Sequence, residues 1–196
     1  MYSAKNITYT FSIIFIGLIS IGNILLLQVI DRRDLEAGLK VQKLLKTQQH
    51  IFETHRSIEA LNTDIDQLID IVSEKDSPID EQLIEDLRSR IILNSQNVDT
   101  IISLVPDDLS SAAIDIESSF EALSESWLRS LAWIETEPEK GIAEVMLTAN
   151  PLASTLNRNQ FPELSKSGDQ LLINEEKRLR IQQVSSRMIL HFLTVF

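Results

Sequence analysis

An apolar run of 20 residues, from Phe11 to Ile30, constrains this chain more than any other feature of its sequence. No charged residue occurs between Asn6 and Ile30. At about 1.5 Å per residue, a helix over this run is about 30 Å long, which is enough to cross the hydrocarbon core of a bilayer. A cleaved signal peptide has a shorter apolar region, of about 7–15 residues. We therefore predict an uncleaved transmembrane anchor over residues 1–30.

A second apolar run, Met188 to Phe196, occupies the C-terminal end of the sequence. We interpret residues 188–196 as the start of a second, truncated transmembrane helix, which suggests that the sequence is a fragment. The residues between the two apolar runs, 31–187, are long enough for one domain.

Composition limits what this domain can be. The chain has no cysteine, which excludes a disulfide framework and thiol chemistry, and its few glycines and aromatic residues favour long helices over sheets. The net charge is +1 over residues 31–63, −15 over 64–144 and +2 over 158–187. The acidic middle would repel phosphates, so nucleic acid is not an expected partner. Basic ends and an acidic middle suit a domain whose two ends adjoin anionic headgroups.

Apolar residues recur every seven positions along the domain, as in a coiled coil or a helical bundle. The first helix is predicted to run from the anchor to about Glu74. Its seam is formed by Leu44, Ile51, Ile58, Ile65 and Val72, with Leu61 and Leu68 at the partner positions.

The second helix is predicted to begin at Ser77-Pro78, with Ser77 as N-cap and Pro78 at the first helical position, and to end near Val105. Its apolar side carries Ile79, Leu83, Leu87, Ile91, Val98 and Ile102. The third helix has the most regular pattern. Its two rows are Leu109, Ile116 and Leu123, and Ala113, Phe120, Trp127 and Ile134.

The fourth helical region opens at Glu137-Pro138. Pro151 and Pro162 disfavour one continuous helix, because proline lacks a backbone N–H and restricts the residue before it. We expect a helix from 138 to about 149, a short link, and a last helix from about 163 into the terminal apolar run. The predicted fold is all-α: an antiparallel four-helix bundle on a long N-terminal transmembrane helix, whose last helix leads into the second, truncated one.

The seam nearest the two ends of the domain is polar. It includes Thr47 and Thr54 in the first helix, flanked by Gln48 and His55. In the last helix the seam positions are Glu175, Arg178, Gln182 and Ser185. Polar seam positions permit alternative packings, as in a helix that slides or rotates. They are equally compatible with an exposed two-helix stem.

Catalytic and metal-binding patterns are missing from the sequence. His50, His55 and His191 fall in no HExxH or ExxH motif, and no phosphate-binding loop, GxSxG elbow or kinase signature is present. We therefore expect no enzymatic activity, catalytic residue, cofactor or metal site in this chain.

Four residues are the candidates for binding an anionic small molecule, because they place scarce cations and an aromatic ring in the acidic segment. They are Arg88, Arg90, Trp127 and Arg129. The alternative is ordinary helix pairing, since Glu85, Asp86 and Glu125 each precede one of the arginines by three or four residues. Trp127 lies in a core row, so core packing is the alternative for that residue.

The segment from Asn174 to Arg180, which leads through Ser185 to Met188 into the apolar end, looks like the approach to a second anchor. With the N-terminal anchor and the helical domain, it resembles the periplasmic four-helix-bundle sensor domains of bacterial transmembrane receptors. These occur in chemotaxis receptors, in the sensor histidine kinases of two-component systems and in membrane diguanylate cyclases. The resemblance rests on architecture and transfers no ligand residue.

The resemblance implies the input region of a signal-transduction receptor. Such a region lies in the bacterial inner membrane with residues 31–187 in the periplasm, forms a homodimer, and senses a small molecule or a periplasmic protein. A cytoplasmic output module would follow the second anchor.

The charges that flank the anchor favour the opposite orientation under the positive-inside tendency. Lys5 precedes the anchor, whereas Arg32, Arg33, Lys40, Lys43 and Lys46 follow it. Two other functions remain open: a membrane-anchored tether or adaptor without a ligand, and, more remotely, a cofactor-containing bundle.

Overall fold

A computed structural model describes residues 4–74 and 80–195 of the chain, with the backbone alone for residues 4–16, 19, 190 and 192–195. Every regular element in this part is helical. This part contains six α-helices: α1 (Ala4–Ser73), α2 (Glu81–Leu104), α3 (Ser110–Ile134), α4 (Pro138–Glu144), α5 (Asn150–Thr155) and α6 (Phe161–Val195). The structure confirms the all-α fold class.

The heptad seam of α1 is buried as predicted. Six of its residues are almost fully buried: Leu44, Ile51, Ile58, Leu61, Ile65 and Leu68. Val72, at the end of the seam, is partly buried against the same core. A seam repeated every seven residues keeps one face of a helix towards its neighbours, which explains why one pattern specifies so much of α1.

The start of α2 differs from the prediction. The proposed cap, Ser77-Pro78, and the seam residue Ile79 lie outside the described residues, and α2 begins at Glu81. Asp80 is the N-cap, and its carboxylate accepts a hydrogen bond from the backbone N–H of Gln82. A carboxylate satisfies an unpaired N–H of the first turn and also favours the positive end of the helix dipole.

The apolar face of α2 is shifted by one position at each end. Ile84 and Ile101 are fully buried, whereas the predicted Leu83 and Ile102 are only partly buried. A short 3₁₀ turn, Asp107–Leu109, then leads into α3. Both predicted rows of α3 are buried: Leu109, Ile116 and Leu123, and Ala113, Phe120, Trp127 and Ile134.

The expected break in the fourth helical region does not occur. Two π-helical turns, Val145–Ala149 and Leu156–Gln160, join α4, α5 and α6, so that residues 138–195 form one continuous helix, here called the fourth rod. Each π-turn immediately precedes an X-Pro pair. The N–H of Asn150 bonds to the carbonyl of Val145, and that of Phe161 to Leu156.

These wider turns explain how the fourth rod continues through two prolines. In an α-helix the proline ring collides with the carbonyl four residues earlier. A π-turn bonds five residues back and locally widens the backbone. Buried positions also recur every four residues at Gly141, Val145, Ala149 and Ala153. In a regular helix of 3.6 residues per turn this row would drift by about 40° per step, and the extra residue of a π-turn reduces the drift.

The chain divides into two compact units. The bundle unit, residues 43–172, contains parts of α1 and the fourth rod together with all of α2 and α3. Successive helices run antiparallel: Thr47 contacts the carbonyl of Leu104, whereas Arg90 contacts Asp64. Four helices thus pack together around one apolar core.

The stem unit comprises residues 1–42 and 173–196. Within it, Lys40 Nζ lies 2.6 Å from Glu175 Oε1, and the amide of Gln182 donates to Asp34 at 3.0 Å. These contacts place the two helical segments antiparallel. Ser186, and not the predicted Ser185, is the buried serine, while Arg178 is exposed.

No helix in the described part of the chain is both long and apolar enough to span a membrane. Of the predicted anchor, residues 1–3 lie outside that part, and residues 4–16 and 19 are described by their backbone alone. Of the second predicted span, residues 190 and 192–195 are described by their backbone alone, and Phe196 is not described.

Candidate functional site

Arg88 joins α2 to the end of α3. Its guanidinium Nη2 lies 3.1 Å from the carboxylate of Glu135, and Nη1 lies 3.5 Å from Glu85 on its own helix. The local pairing with Glu85 was expected from sequence, but the shorter contact is made to another helix. Arg88 thus serves as a tie between two helices.

Arg90 makes the equivalent contact with α1. Its Nη1 lies 2.6 Å from Asp64 Oδ2 and 3.7 Å from Asp86 Oδ2. The two carboxylates flank one cationic group, so the charge that we considered for a ligand is already balanced inside the protein.

Arg129 joins α3 to the fourth rod through Glu144. Its Nη2 and Nε lie 3.1 and 3.3 Å from Glu144 Oε1, and the hydroxyl of Ser126 donates to the same oxygen at 2.8 Å. Three donors converge on one mostly buried carboxylate. The arginine contacts a partner 15 residues along the chain, whereas the expected partner was Glu125.

Trp127 is fully buried and packs edge-on against Phe120, with ring centroids 6.4 Å apart and an interplanar angle of 79°. Its indole N–H is buried and has no hydrogen-bond partner in the described part of the protein. Edge-to-face packing of two large rings is a typical core arrangement. The ring contributes to the bundle core.

The four candidate residues therefore do not converge on one site. The arginines lie at three different helix contacts: α2 with α3, α2 with α1, and α3 with the fourth rod. Whether any of them binds a ligand stays untested, and their observed role is to pair with carboxylates across the bundle.

A groove of about 640 Å³ between α1 and the fourth rod brings together polar residues that the sequence did not single out. Arg56, Glu59 and Asn62 line it from α1. Asn150, Asn157 and Arg158 line it from the fourth rod. All six belong to the bundle unit. Asn150 and Asn157 are spaced seven residues apart on either side of Pro151, a signal that could have indicated one polar face.

The carbonyl oxygens of three of these side chains are buried without a hydrogen-bond partner among the described residues: Asn62, Asn150 and Asn157. The amide nitrogen of Asn62 donates to Asp66 at 3.1 Å. That bond accounts for the orientation of the Asn62 amide group.

His55, which directly precedes Arg56 in α1, is held by contacts within the bundle unit. The ring of His55 stacks on Phe161 of α6, with centroids 4.9 Å apart and planes inclined by 10°, and its Nε2 lies 3.7 Å from Glu59. Within the described residues, no group of three or more histidine, aspartate and glutamate side chains is arranged to hold a metal ion.

Polar residues also hold α1 against neighbouring helices. The predicted seam residue Thr47 is buried, and its hydroxyl lies 3.0 Å from the carbonyl of Lys43 and 3.3 Å from that of Leu104. Gln48 donates to the carbonyl of Ser165 at 2.9 Å. It lies over Gly168, where a Cβ atom would collide with the Gln48 amide.

No protein-family model, no curated protein and no solved structure matches this chain.

Proposed function

We propose that the chain is the sensor region of a bacterial transmembrane receptor, which relays helix shifts induced by a ligand or a partner protein to an output module. In this proposal residues 1–30 anchor the chain in the inner membrane, residues 31–187 lie in the periplasm, and residues 188–196 enter a second membrane span. A ligand would act by binding one helix packing more tightly than the other.

The observation that carries this proposal is the continuity of two helices. Helix α1 extends without a break from Ala4, in the predicted anchor, to Ser73 in the bundle unit. The fourth rod is helical from Pro138 to Val195, in the second apolar run. Because the hydrogen bonds of a helix link each turn to the next, a displacement at one end can be passed to the other.

Apolar side chains exposed in the stem unit also support the proposal. Several lie within the predicted anchor: Leu18, Ile21, Ile24, Leu25, Leu26 and Val29. Others lie beyond it: Leu35, Leu39, Ile173, Ile181 and Val184. Large exposed apolar surfaces mark contacts with a membrane or another protein. Lipid would cover the first group, and a second copy of the chain, in a homodimer, would cover the second.

A topology fusion tests the orientation. Alkaline phosphatase, which is active only in the periplasm, should be active when fused after Glu74, and β-galactosidase at the same position should be inactive. Green fluorescent protein placed before Met1 should fluoresce, as the control for a cytoplasmic N-terminus. The reverse pattern would mean that the basic residues after Ile30 determine the orientation, and the periplasmic sensor proposal would fail.

The alternative is a membrane-anchored tether or adaptor without a ligand. It is favoured by the pairing of Arg88, Arg90 and Arg129 with carboxylates inside the bundle. Spin labels at Asp34→Cys and Gln182→Cys distinguish the two functions in membrane vesicles. A receptor with two helix packings should give two distance populations whose ratio changes with temperature. A tether should give a single population.

A further inference from the structure

The groove between α1 and the fourth rod differs from the rest of the bundle in its charge. Arg56 and Arg158 reach it from two different helices, and both are exposed. No carboxylate in the described part of the chain lies within ion-pair distance of either residue. By contrast, the other arginines of the bundle unit, Arg88, Arg90 and Arg129, all contact carboxylates.

Arg56 and Arg158 are the two arginines of the bundle unit that have no ion pair among the described residues, although acidic side chains outnumber basic ones by 29 to 18 in the chain. A guanidinium presents a rigid fork of N–H donors that matches a carboxylate. Two such groups facing one cavity therefore favour an anion. Glu59 is the only acidic residue among those that line the groove, and it lies beside His55 at 3.7 Å.

Uncharged polar side chains make up most of the remaining lining of the groove: Asn62, Thr63, Asn150, Ser154 and Asn157. Amide groups and hydroxyl groups both donate and accept hydrogen bonds. They suit a ligand that carries hydroxyl or amino groups, whereas an apolar ligand would leave them without partners.

The wall formed by the fourth rod is set by the two π-turns. Asn150 directly follows the first π-turn, and Asn157 and Arg158 lie within the second. Single π-turns inside α-helices are rare and occur frequently at functional sites. This backbone feature places Asn157 and Arg158 on the wall of the groove.

We propose that this groove binds a small organic acid that carries hydroxyl or amino groups. Its carboxylate would lie between Arg56 and Arg158, and its hydroxyl or amino groups would bond to the amide and hydroxyl side chains that line the groove. The volume of about 640 Å³ is within the range of about 300–1,000 Å³ that is usual for small-molecule sites. All the residues belong to one chain, so the site is complete without a second copy. This inference rests on the proposed sensor function only for what the binding would achieve in the cell.

Thermal unfolding and calorimetry of the full chain in detergent micelles test the proposal directly. The probes are malate, gluconate and aspartate, with sorbitol as the uncharged counterpart of gluconate. At least one acid should raise the midpoint of unfolding in a saturable way, and sorbitol should not. If no acid changes the midpoint, or if sorbitol matches gluconate, the proposal is overturned.

Substitutions locate the binding. Arg56→Gln and Arg158→Gln should each weaken the affinity for the active acid by about tenfold or more, since each removes a charge-assisted hydrogen bond. Neither arginine has an ion pair within the described residues, so both variants should unfold at the midpoint of the unmodified chain. Arg88→Gln is the matched control and should keep the affinity. Equal affinity in the Arg56→Gln, Arg158→Gln double variant would place the acid elsewhere and overturn the proposal.

The outcome is separable from that of the topology fusion. Binding in micelles does not depend on which side of a membrane the bundle occupies. Binding together with a cytoplasmic bundle would refute the receptor orientation and leave the groove assignment intact. A periplasmic bundle without binding would refute the groove assignment alone.

Discussion

The bundle unit and the stem unit use the same two helices in different ways. In the bundle unit, all four helices bury apolar side chains in one core, from Ile51 to Leu164. In the described part of the stem unit, the buried residues are Ile30 and Ser186. Hydrophobic burial stabilises a packed unit in proportion to the apolar area removed from water. The bundle therefore carries its own source of stability, whereas the stem leaves apolar side chains such as Leu35 and Leu39 exposed.

Polar contacts show the same difference. In the bundle they are buried within an apolar surrounding, as for the hydroxyl of Ser130, which donates to the carbonyl of Gly141 at 2.8 Å. In the stem they lie nearer the surface, as for Arg32 with Glu36. A buried hydrogen bond is costly to remove, whereas an exposed ion pair contributes little. Paired substitutions in the two units should make this contrast measurable.

The largest expected effect comes from truncating the core. Trp127→Ala should lower the free energy of unfolding by about 3–5 kcal/mol, because it removes the largest fully buried side chain and leaves a cavity. Leu35→Ala, at a stem position that is 64% exposed, should change it by less than about 0.5 kcal/mol. Urea unfolding of the full chain in micelles, followed by circular dichroism, measures both. Similar losses would mean that the stem is packed as tightly as the bundle.

A second comparison uses glycine. In Gly141→Ala the new Cβ would lie 2.6 Å from Ile134 Cγ1 and 2.9 Å from the carbonyl oxygen of Ser130, so the α3–α4 connection must move. We expect a loss of about 1–3 kcal/mol in unfolding free energy. At Gly38, in the stem segment of α1, a Cβ meets nothing within 4 Å. Gly38→Ala should therefore stabilise the chain, by up to about 1 kcal/mol, through helix propensity. Thermal unfolding reports both signs, and a destabilising Gly38→Ala would reveal a close neighbour in the stem.

Hydrogen bonds give a smaller contrast. Ser130→Ala should cost about 1 kcal/mol, because Ser130 is fully buried and its hydroxyl is one of two donors to the Gly141 carbonyl, the other being the N–H of Val145. Gln182→Ala removes the bond to Asp34 at 3.0 Å in the stem, where water can replace it. We expect less than half the loss for that change. Chemical unfolding of the two variants side by side provides the measurement, and a larger loss for Gln182→Ala would contradict the contrast.

Ion pairs give the smallest effect. A double-mutant cycle on Arg32 and Glu36, whose side chains are 82% and 65% exposed, should give a coupling energy of about 0.2–1 kcal/mol, as for other exposed pairs. The same cycle on Arg90 and Asp64 should give a value near the upper end, since both side chains are about two-thirds buried. Both couplings should fall as salt is added, and less so for the bundle pair. Equal salt dependence would show that solvent screens the ion pairs of the two units to the same extent.

Much of the fold was predictable because it depends on a repeated local pattern. The seven-residue rows of α1 and α3 correctly identified buried residues from Leu44 to Ile134, since burying one helix face requires such a row. The errors occurred where packing overrides local rules. The N-cap of α2 is Asp80, and Pro151 and Pro162 lie inside a continuous rod because π-turns accommodate them.

The candidate site was less predictable. The sequence correctly indicated local partners for Arg88 and Arg90, but their shorter contacts are with Glu135 and Asp64 on other helices. Arg56 was not identified from sequence, because an exposed arginine on a polar helix face resembles many others. Only the packing of α1 against the fourth rod brings it into one groove with Arg158.

The sequence by itself determined that this chain is helical, where α1 and α3 place their apolar faces, and how charge is distributed along it. These properties follow from the order of residues along one helix. The tertiary structure decided which carboxylate each arginine contacts, how the fourth rod continues through its prolines, and which polar side chains share a groove. These depend on distances between residues that are far apart in the chain, and such distances are fixed only when the helices pack.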